Sequence, residues 1–384
     1  MLDNANNSQD TFIHLIGCWT LVVVGAMPFA VQPFFLAVMS ESYGLDPEKI
    51  GLLASADIAG IVLASFSGLW WMRQLSTTIL FRMAVTAMFI GYAGVVLIQT
   101  VEQLIWLRLI AGLLGHGIAF SMGTALLCRS REPDKAIAIS VITQIAFASL
   151  MLWWLPKFLE ATNLVSTLLL LASMTLLALP LLPHVSQPSI SSEAREIKIS
   201  RHFAWLLLAL ICYQIGLSSI WAFIEPLGDN RGFSLEEMGQ ILAVVLPLSM
   251  LGSLLAGWLN TRIGRLVPIA LSAGLGIMGL LLLVESEQRL AFGVAFLVHQ
   301  VAWNFGIAYV YGYVAEASND TGVEILAPGV QSLGTAIGPI LAGFIASRES
   351  MDSIVWVSGA GMVACLIILA TIRIYGFDDN RAKA

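Results

Sequence analysis

A chain of 384 residues that is 58% hydrophobic and only 11% charged, with mean hydropathy +0.85, carries more apolar surface than a water-soluble core can hide. Its net charge of -6 and pI near 5.4 lack the basic footprint of a nucleic-acid binder, so nucleic acid is excluded as a partner. The expected solvent is a lipid bilayer, because the apolar residues come in runs of roughly 20, the length that crosses one.

In chain order the first run begins inside "MLDNANNSQDTFIHLIG", which has no basic n-region and no small-residue cleavage site after it. It is expected to be a retained first span. Six spans are predicted at 12–39, 50–72, 79–98, 104–127, 136–155 and 164–182. A polar, Ser- and charge-rich stretch follows at 183–201, and then six more spans at 203–227, 239–259, 267–284, 290–314, 325–346 and 354–374. The predicted plan is a six-helix bundle over 1–182, a cytoplasmic linker over 183–201 and a second six-helix bundle over 202–384. Cys18, Cys128, Cys212 and Cys365 stand singly, with no CxxC and no His at ligand spacing, and read as small core residues. Neither metal nor cofactor is expected.

Basic loops stay on the cytoplasmic side of a membrane. With the N-terminus inside, thirteen of the 19 Lys and Arg residues fall in cytoplasmic segments, five fall in outer loops, and Arg108 lies within a span. Both termini are therefore predicted to be cytoplasmic.

The halves also repeat. "YGLDPEKIG" at 43–51 aligns with "RGFSLEEMG" at 231–239, pairing Gly44 with Gly232 and Gly51 with Gly239. "GLWWMRQLS" at 68–76 aligns with "GWLNTRIGR" at 257–265, and "GIAFSMG" at 117–123 with "GIAYVYG" at 306–312. Three matches in order at nearly one offset of half the chain indicate a duplicated six-helix unit.

The loop "GWLNTRIGR", its worn copy "GLWWMRQLS" and the "RLIAGLLGHG" of the fourth span (Arg108, Gly112, Gly115, Gly117) carry a resemblance to the major facilitator superfamily over the whole chain. That family places a Gly-x-Leu-Ala-Asp-Arg-x-Gly-Arg loop between helices 2 and 3 and again between 8 and 9, and opens helix 4 with Arg-x-x-x-Gly. The resemblance implies an all-α membrane protein of twelve transmembrane helices in two pseudo-symmetric six-helix bundles, working as a monomer. It also implies a gating role for Gly68, Arg73, Gly257, Arg262, Gly264 and Arg265. The acidic residue of that loop is replaced by Met72 and Thr261, and the fifth span, "VITQIAFASLMLWWL", lacks the Gly-Pro signature of drug/proton antiporters.

Ionisable groups inside a bilayer are costly and mark function or a dedicated partner. Asp57 follows the apolar start of the second span, with Gly60, Ala64 and Gly68 continuing its face at close-packing spacing. It suits either a protonation site or a permanently paired structural carboxylate. Arg108, two turns into the fourth span, is at comparable depth and is its expected partner, in a coupling or a purely structural role. Glu225 stands before Pro226 near the outer interface, within reach of headgroups and water, as a further proton-coupling candidate. It closes a stripe formed with Gln214, Ser218 and Trp221, which is expected to face a cavity or the other bundle.

The tenth span adds His299, Trp303 and Gly306 on one side and Gln300, Asn304 and Tyr311 on an adjacent one. Spans 1, 4, 7 and 10 line the substrate path in the resembled family, so Gln214, Trp221, His299, Gln300, Trp303, Asn304 and His116 are candidate substrate residues. His116 is equally explained by a hydrogen bond to a neighbouring helix. Gly334, Gly338, Pro339 and Gly343 in the eleventh span serve close crossing or bending.

No nucleotide-binding loop is present, so an ion gradient is expected to supply the energy. The leading reading is a proton-coupled secondary transporter of a small organic molecule in a bacterial inner membrane. A drug or metabolite efflux antiporter is the alternative within the class; a membrane sensor or an intramembrane enzyme is the alternative outside it.

Overall fold

The computed structural model describes residues 12–128, 130–185, 201–317 and 327–375. Among these, 12 helices are long and apolar enough to cross a membrane. We number them α1 (Phe12–Ala30), α2 (Pro47–Gly68), α3 (Thr77–Leu97), α4 (Val101–Leu127), α5 (Lys135–Ala161), α6 (Leu164–His184), α7 (Arg201–Asp229), α8 (Leu235–Leu259), α9 (Leu266–Val284), α10 (Arg289–Val314), α11 (Gly329–Ala346) and α12 (Met351–Ile374). The linker residues 186–200 expected between the halves lie outside the described residues.

Local chemistry sets several of these boundaries. The first span is interrupted at Val31, after which Gln32–Tyr43 forms a separate helix. Pro33 has no N–H and its ring crowds the preceding turn, yet the bonds Val31 N to Met27 O at 3.0 Å and Phe35 N to Val31 O at 2.9 Å persist, so the chain bends rather than breaks. α4 starts three residues earlier than predicted because Thr100 caps it, its Oγ1 accepting from Gln103 N at 3.3 Å. The internal repeat reappears as shared backbone geometry. Gly44 and Gly232 both adopt positive φ, 59° and 78°, which glycine enters without steric cost. Two residues later Asp46 accepts from Lys49 N at 2.8 Å, and at the equivalent place Ser234 accepts from Glu237 N at 3.2 Å.

The described residues up to Val38 and from Ala56 to Val185 form one compact unit; Met39–Ser55 and the residues from Arg201 onward form the other. The first has a core built from Leu21, Phe81, Met88, Met122 and Leu127, with Trp71 inserted and donating from Nε1 to Ala64 O at 3.0 Å. The second packs Leu210, Tyr213, Val310, Cys365 and Leu369 together. In this second unit glycines let helices meet backbone to backbone. A Cβ on Gly334 would stand 2.6 Å from Ile211 O of α7, one on Gly361 would stand 2.5 Å from Cys212 O, and one on Gly51 would strike the Pro339 carbonyl oxygen. Among the cysteines, Cys18 and Cys365 are core residues, but Cys128 is exposed and Cys212 half-buried. Cys128 follows the last residue of α4, where the chain has already left the core.

Candidate functional site

In the first unit a charged cluster forms where α2, α3 and α4 cross. Backbones touch first: a Cβ on Gly112 would collide with the Asp57 carbonyl oxygen, and one on Gly60 with the Leu109 carbonyl oxygen. That proximity brings Arg108 Nε to 2.7 Å from Asp57 Oδ2, with the two residues 1% and 6% exposed. Arg108 also donates from Nη1 to Gly91 O at 2.9 Å. Its guanidinium packs against two aromatic rings that are set edge-on to each other, 4.3 Å from the Tyr92 centroid and 4.8 Å from that of Phe35. Planarity and weak hydration suit guanidinium to such aromatic contacts. The second carboxylate oxygen, Asp57 Oδ1, is buried with no hydrogen-bond partner among the described residues.

Immediately after Arg108, α4 widens into a π-helical turn over Gly112–His116. Such turns interrupt regular helix at functional sites and re-aim the side chains around them. Here the turn delivers His116, fully buried, to α1, where its Nδ1–H donates to Val24 O at 2.9 Å. Its ring meets Tyr92 edge-on at 5.8 Å. Phe35 and Tyr92, neither of which stood out in the sequence, thus complete the cluster. Tyr92 carried the one available signal, a hydroxyl in the otherwise apolar "FIGYAG" of the third span.

In the second unit α7 and α10 are antiparallel neighbours. Tyr213 stacks on Trp303 at 6.3 Å and Trp221 on Phe296 at 6.5 Å, so Gln300 lies opposite the turn between Gln214 and Ser218. The Tyr213 hydroxyl is 2.6 Å from Ser272 Oγ and 3.0 Å from Trp303 O, while Ser272 Oγ donates to Ala302 O at 2.8 Å. Gly306 makes room for this knot, since its Cβ would strike both hydroxyls. Asn304 Nδ2 donates to Ser249 Oγ of α8 at 3.1 Å. In this unit the buried atoms Gln214 Oε1, Gln300 Oε1 and the indole Nε1 of Trp303 have no partner among the described residues, and neither do His202 Nδ1 and His299 Nε2.

Within the stripe Gln214, Ser218, Trp221 and Glu225, Ser218 Oγ donates to Gly334 O of α11 at 3.4 Å, and Trp221 is 2% exposed. Glu225 is 7% exposed, and α7 continues through Pro226 to end four residues later at Asp229. His299 points to α9, its Nδ1–H donating to Gly276 O at 3.3 Å. The Tyr311 hydroxyl donates to the Gln331 side chain of α11.

In the repeated loop, Gly264 has φ of 72° and Asn260 of 49°, Arg262 lies over the Trp258 ring at 5.6 Å, and Arg265 over Tyr313 at 5.8 Å. Gly257 has open space around it, Gly68 is buried beside Trp71, and the Arg73 side chain lies outside the described ones.

Residues 18–323 match the model of the Major Facilitator Superfamily. The chain belongs to that superfamily. Solved structures of the same fold include the nucleoside transporter NupG, at 13% identity and TM-score 0.73, covering 93% of this chain and 99% of that one. The xylose transporter XylE from E. coli, in a partially occluded inward-open conformation, matches at 13% identity and TM-score 0.72 over 94% and 99% of the two chains. A bacterial homologue of the human lysosomal transporter Spinster matches at 16% identity and TM-score 0.66 over 99% and 97%. A comparison with curated proteins finds no match. As a superfamily member with twelve apolar spans, the chain is an integral, multi-pass membrane transporter and not an enzyme.

Proposed function

We propose that this superfamily member is a proton-coupled carrier of a small, neutral organic molecule, made of two six-helix halves (1–182 and 202–384) joined by the linker 183–201. Alternating access at a site on α7 and α10 is the mode of action. The observation that carries the coupling is the isolated Asp57–Arg108 pair, fully enclosed in the bundle yet with one carboxylate oxygen unpartnered. Desolvation opposes ionisation of a carboxylate and an adjacent guanidinium favours it. A change in water access or separation shifts that balance, and only the carboxylate can then carry the proton, since guanidinium does not deprotonate in proteins.

The substrate reading rests on Gln214, Gln300 and Trp303. Each buried polar atom left without a partner costs about 1–3 kcal/mol, and a ligand that donates to an amide oxygen or accepts from the Trp303 indole recovers part of that cost. Counterflow in proteoliposomes, screened over small neutral solutes, identifies the substrate. Trp303→Ala and Gln300→Ala are then expected to raise its half-saturating concentration roughly tenfold, about 1.4 kcal/mol each, with normal expression. Wild-type affinity in both variants removes α10 from the substrate path.

The basic asymmetry supports placing both termini in the cytoplasm of a bacterial inner membrane. For this test the four native cysteines are replaced and a single one introduced at Ser192 or Ser350. An impermeant thiol reagent on intact cells should label the second and not the first; the reverse pattern inverts the topology.

A further inference from the structure

An open groove of about 490 Å³ runs along the outer face of the first unit between α3 and α4. Its walls are apolar, with Ile79, Ile90, Ile110 and Leu114 all exposed along it, and a single charged side chain, Arg82, lines it. From Ile79 to Ile90 the groove follows about 16 Å of helix at 1.5 Å per residue. Half of a ~30 Å hydrocarbon core is the same length, so the groove matches one leaflet's acyl chain. Arg82 stands toward the Thr77 end of α3, about 8 Å from its first residue. From there a long side chain reaches the headgroup level while its stem covers apolar surface. It is exposed and makes no salt bridge among the described residues.

We propose that this groove is a binding site for an anionic phospholipid, its acyl chain lying between α3 and α4 and its phosphate held by Arg82. Charge complementarity selects the occupant. A bare apolar groove would accept any lipid tail, whereas a single cation at its headgroup end favours a lipid whose charge is not cancelled by its own ammonium. The site is separate from the Asp57–Arg108 cluster, and the proposal depends neither on the transport reading nor on which way the chain crosses the membrane.

Native mass spectrometry of the full chain in detergent tests it, with phosphatidylglycerol and phosphatidylcholine of matched chain length as probes. Wild type is expected to retain phosphatidylglycerol preferentially. Arg82→Gln should reduce that preference about five-fold, the factor contributed by one basic residue near a membrane surface, and Arg82→Lys should keep most of it. Ala87→Phe, which fills the groove, should weaken both lipids alike. Equal retention of the two lipids by wild type, or an undiminished preference in Arg82→Gln, overturns the proposal. Displacement of phosphatidylglycerol by excess inorganic phosphate also overturns it, by showing a simple anion site without acyl-chain recognition.

Discussion

Asp57→Asn is expected to lose pH-driven accumulation of substrate, by roughly tenfold or more, while keeping counterflow exchange close to wild type. The amide preserves the size of the side chain and can still accept from Arg108 Nε, so the helix crossing held by Gly60 and Gly112 should survive. What it lacks is a site that binds and releases a proton as water access changes. Accumulation by wild type in proteoliposomes should collapse with a protonophore, and the variant should show only the protonophore-insensitive background. Undiminished accumulation by Asp57→Asn would remove this residue from coupling. Glu225 in the second unit would then be the buried carboxylate to test.

Arg108→Leu should have the largest effect on folding. The substitution removes the bond to Asp57, the bond to the Gly91 carbonyl and two ring contacts, and it leaves a carboxylate enclosed without a counter-ion. Breaking a buried pair from one side costs about 3–5 kcal/mol. For a unit of this size that corresponds to a fall in apparent melting temperature on the order of 10 °C. Arg108→Lys is expected to recover little, because a single ammonium cannot bond both Asp57 and Gly91 while keeping a planar cation against Phe35 and Tyr92. The double variant Asp57→Asn/Arg108→Leu should regain at least half of the loss, since no uncompensated charge remains. Thermal unfolding followed through the buried thiols Cys18 and Cys365, in a background where the more accessible Cys128 and Cys212 are replaced, provides the readout. A double variant no more stable than Arg108→Leu alone would show that packing, not the stranded charge, sets the cost.

The Asp57–Arg108 pair is partly legible in the chain of letters. Both residues are conspicuous because charges inside apolar spans are rare. Their aromatic enclosure is not legible there, because Phe35 and Tyr92 are ordinary residues for a membrane helix until their faces are known. The π turn at Gly112–His116 is equally hidden, since glycines in a helix read the same whether they widen a turn or merely allow a close crossing.

By itself the sequence determined the lipid environment, the twelve spans, the duplication and the superfamily. These depend on signals local to the chain: runs of apolar residues, and short repeated motifs that pair Gly44 with Gly232 and Gly51 with Gly239. Only the tertiary structure decided which way each helix faces. It turned His299 toward α9, enclosed Glu225, packed Ser218 against α11, and left Gln214, Gln300 and Trp303 with unpartnered buried atoms. The physical reason lies in the solvent. In water a helix shows its buried face as an apolar stripe against a polar background. In a bilayer the lipid-facing and core-facing sides are both apolar, so rotation about the helix axis is set by close packing at glycines and by rare polar contacts between residues distant in the chain.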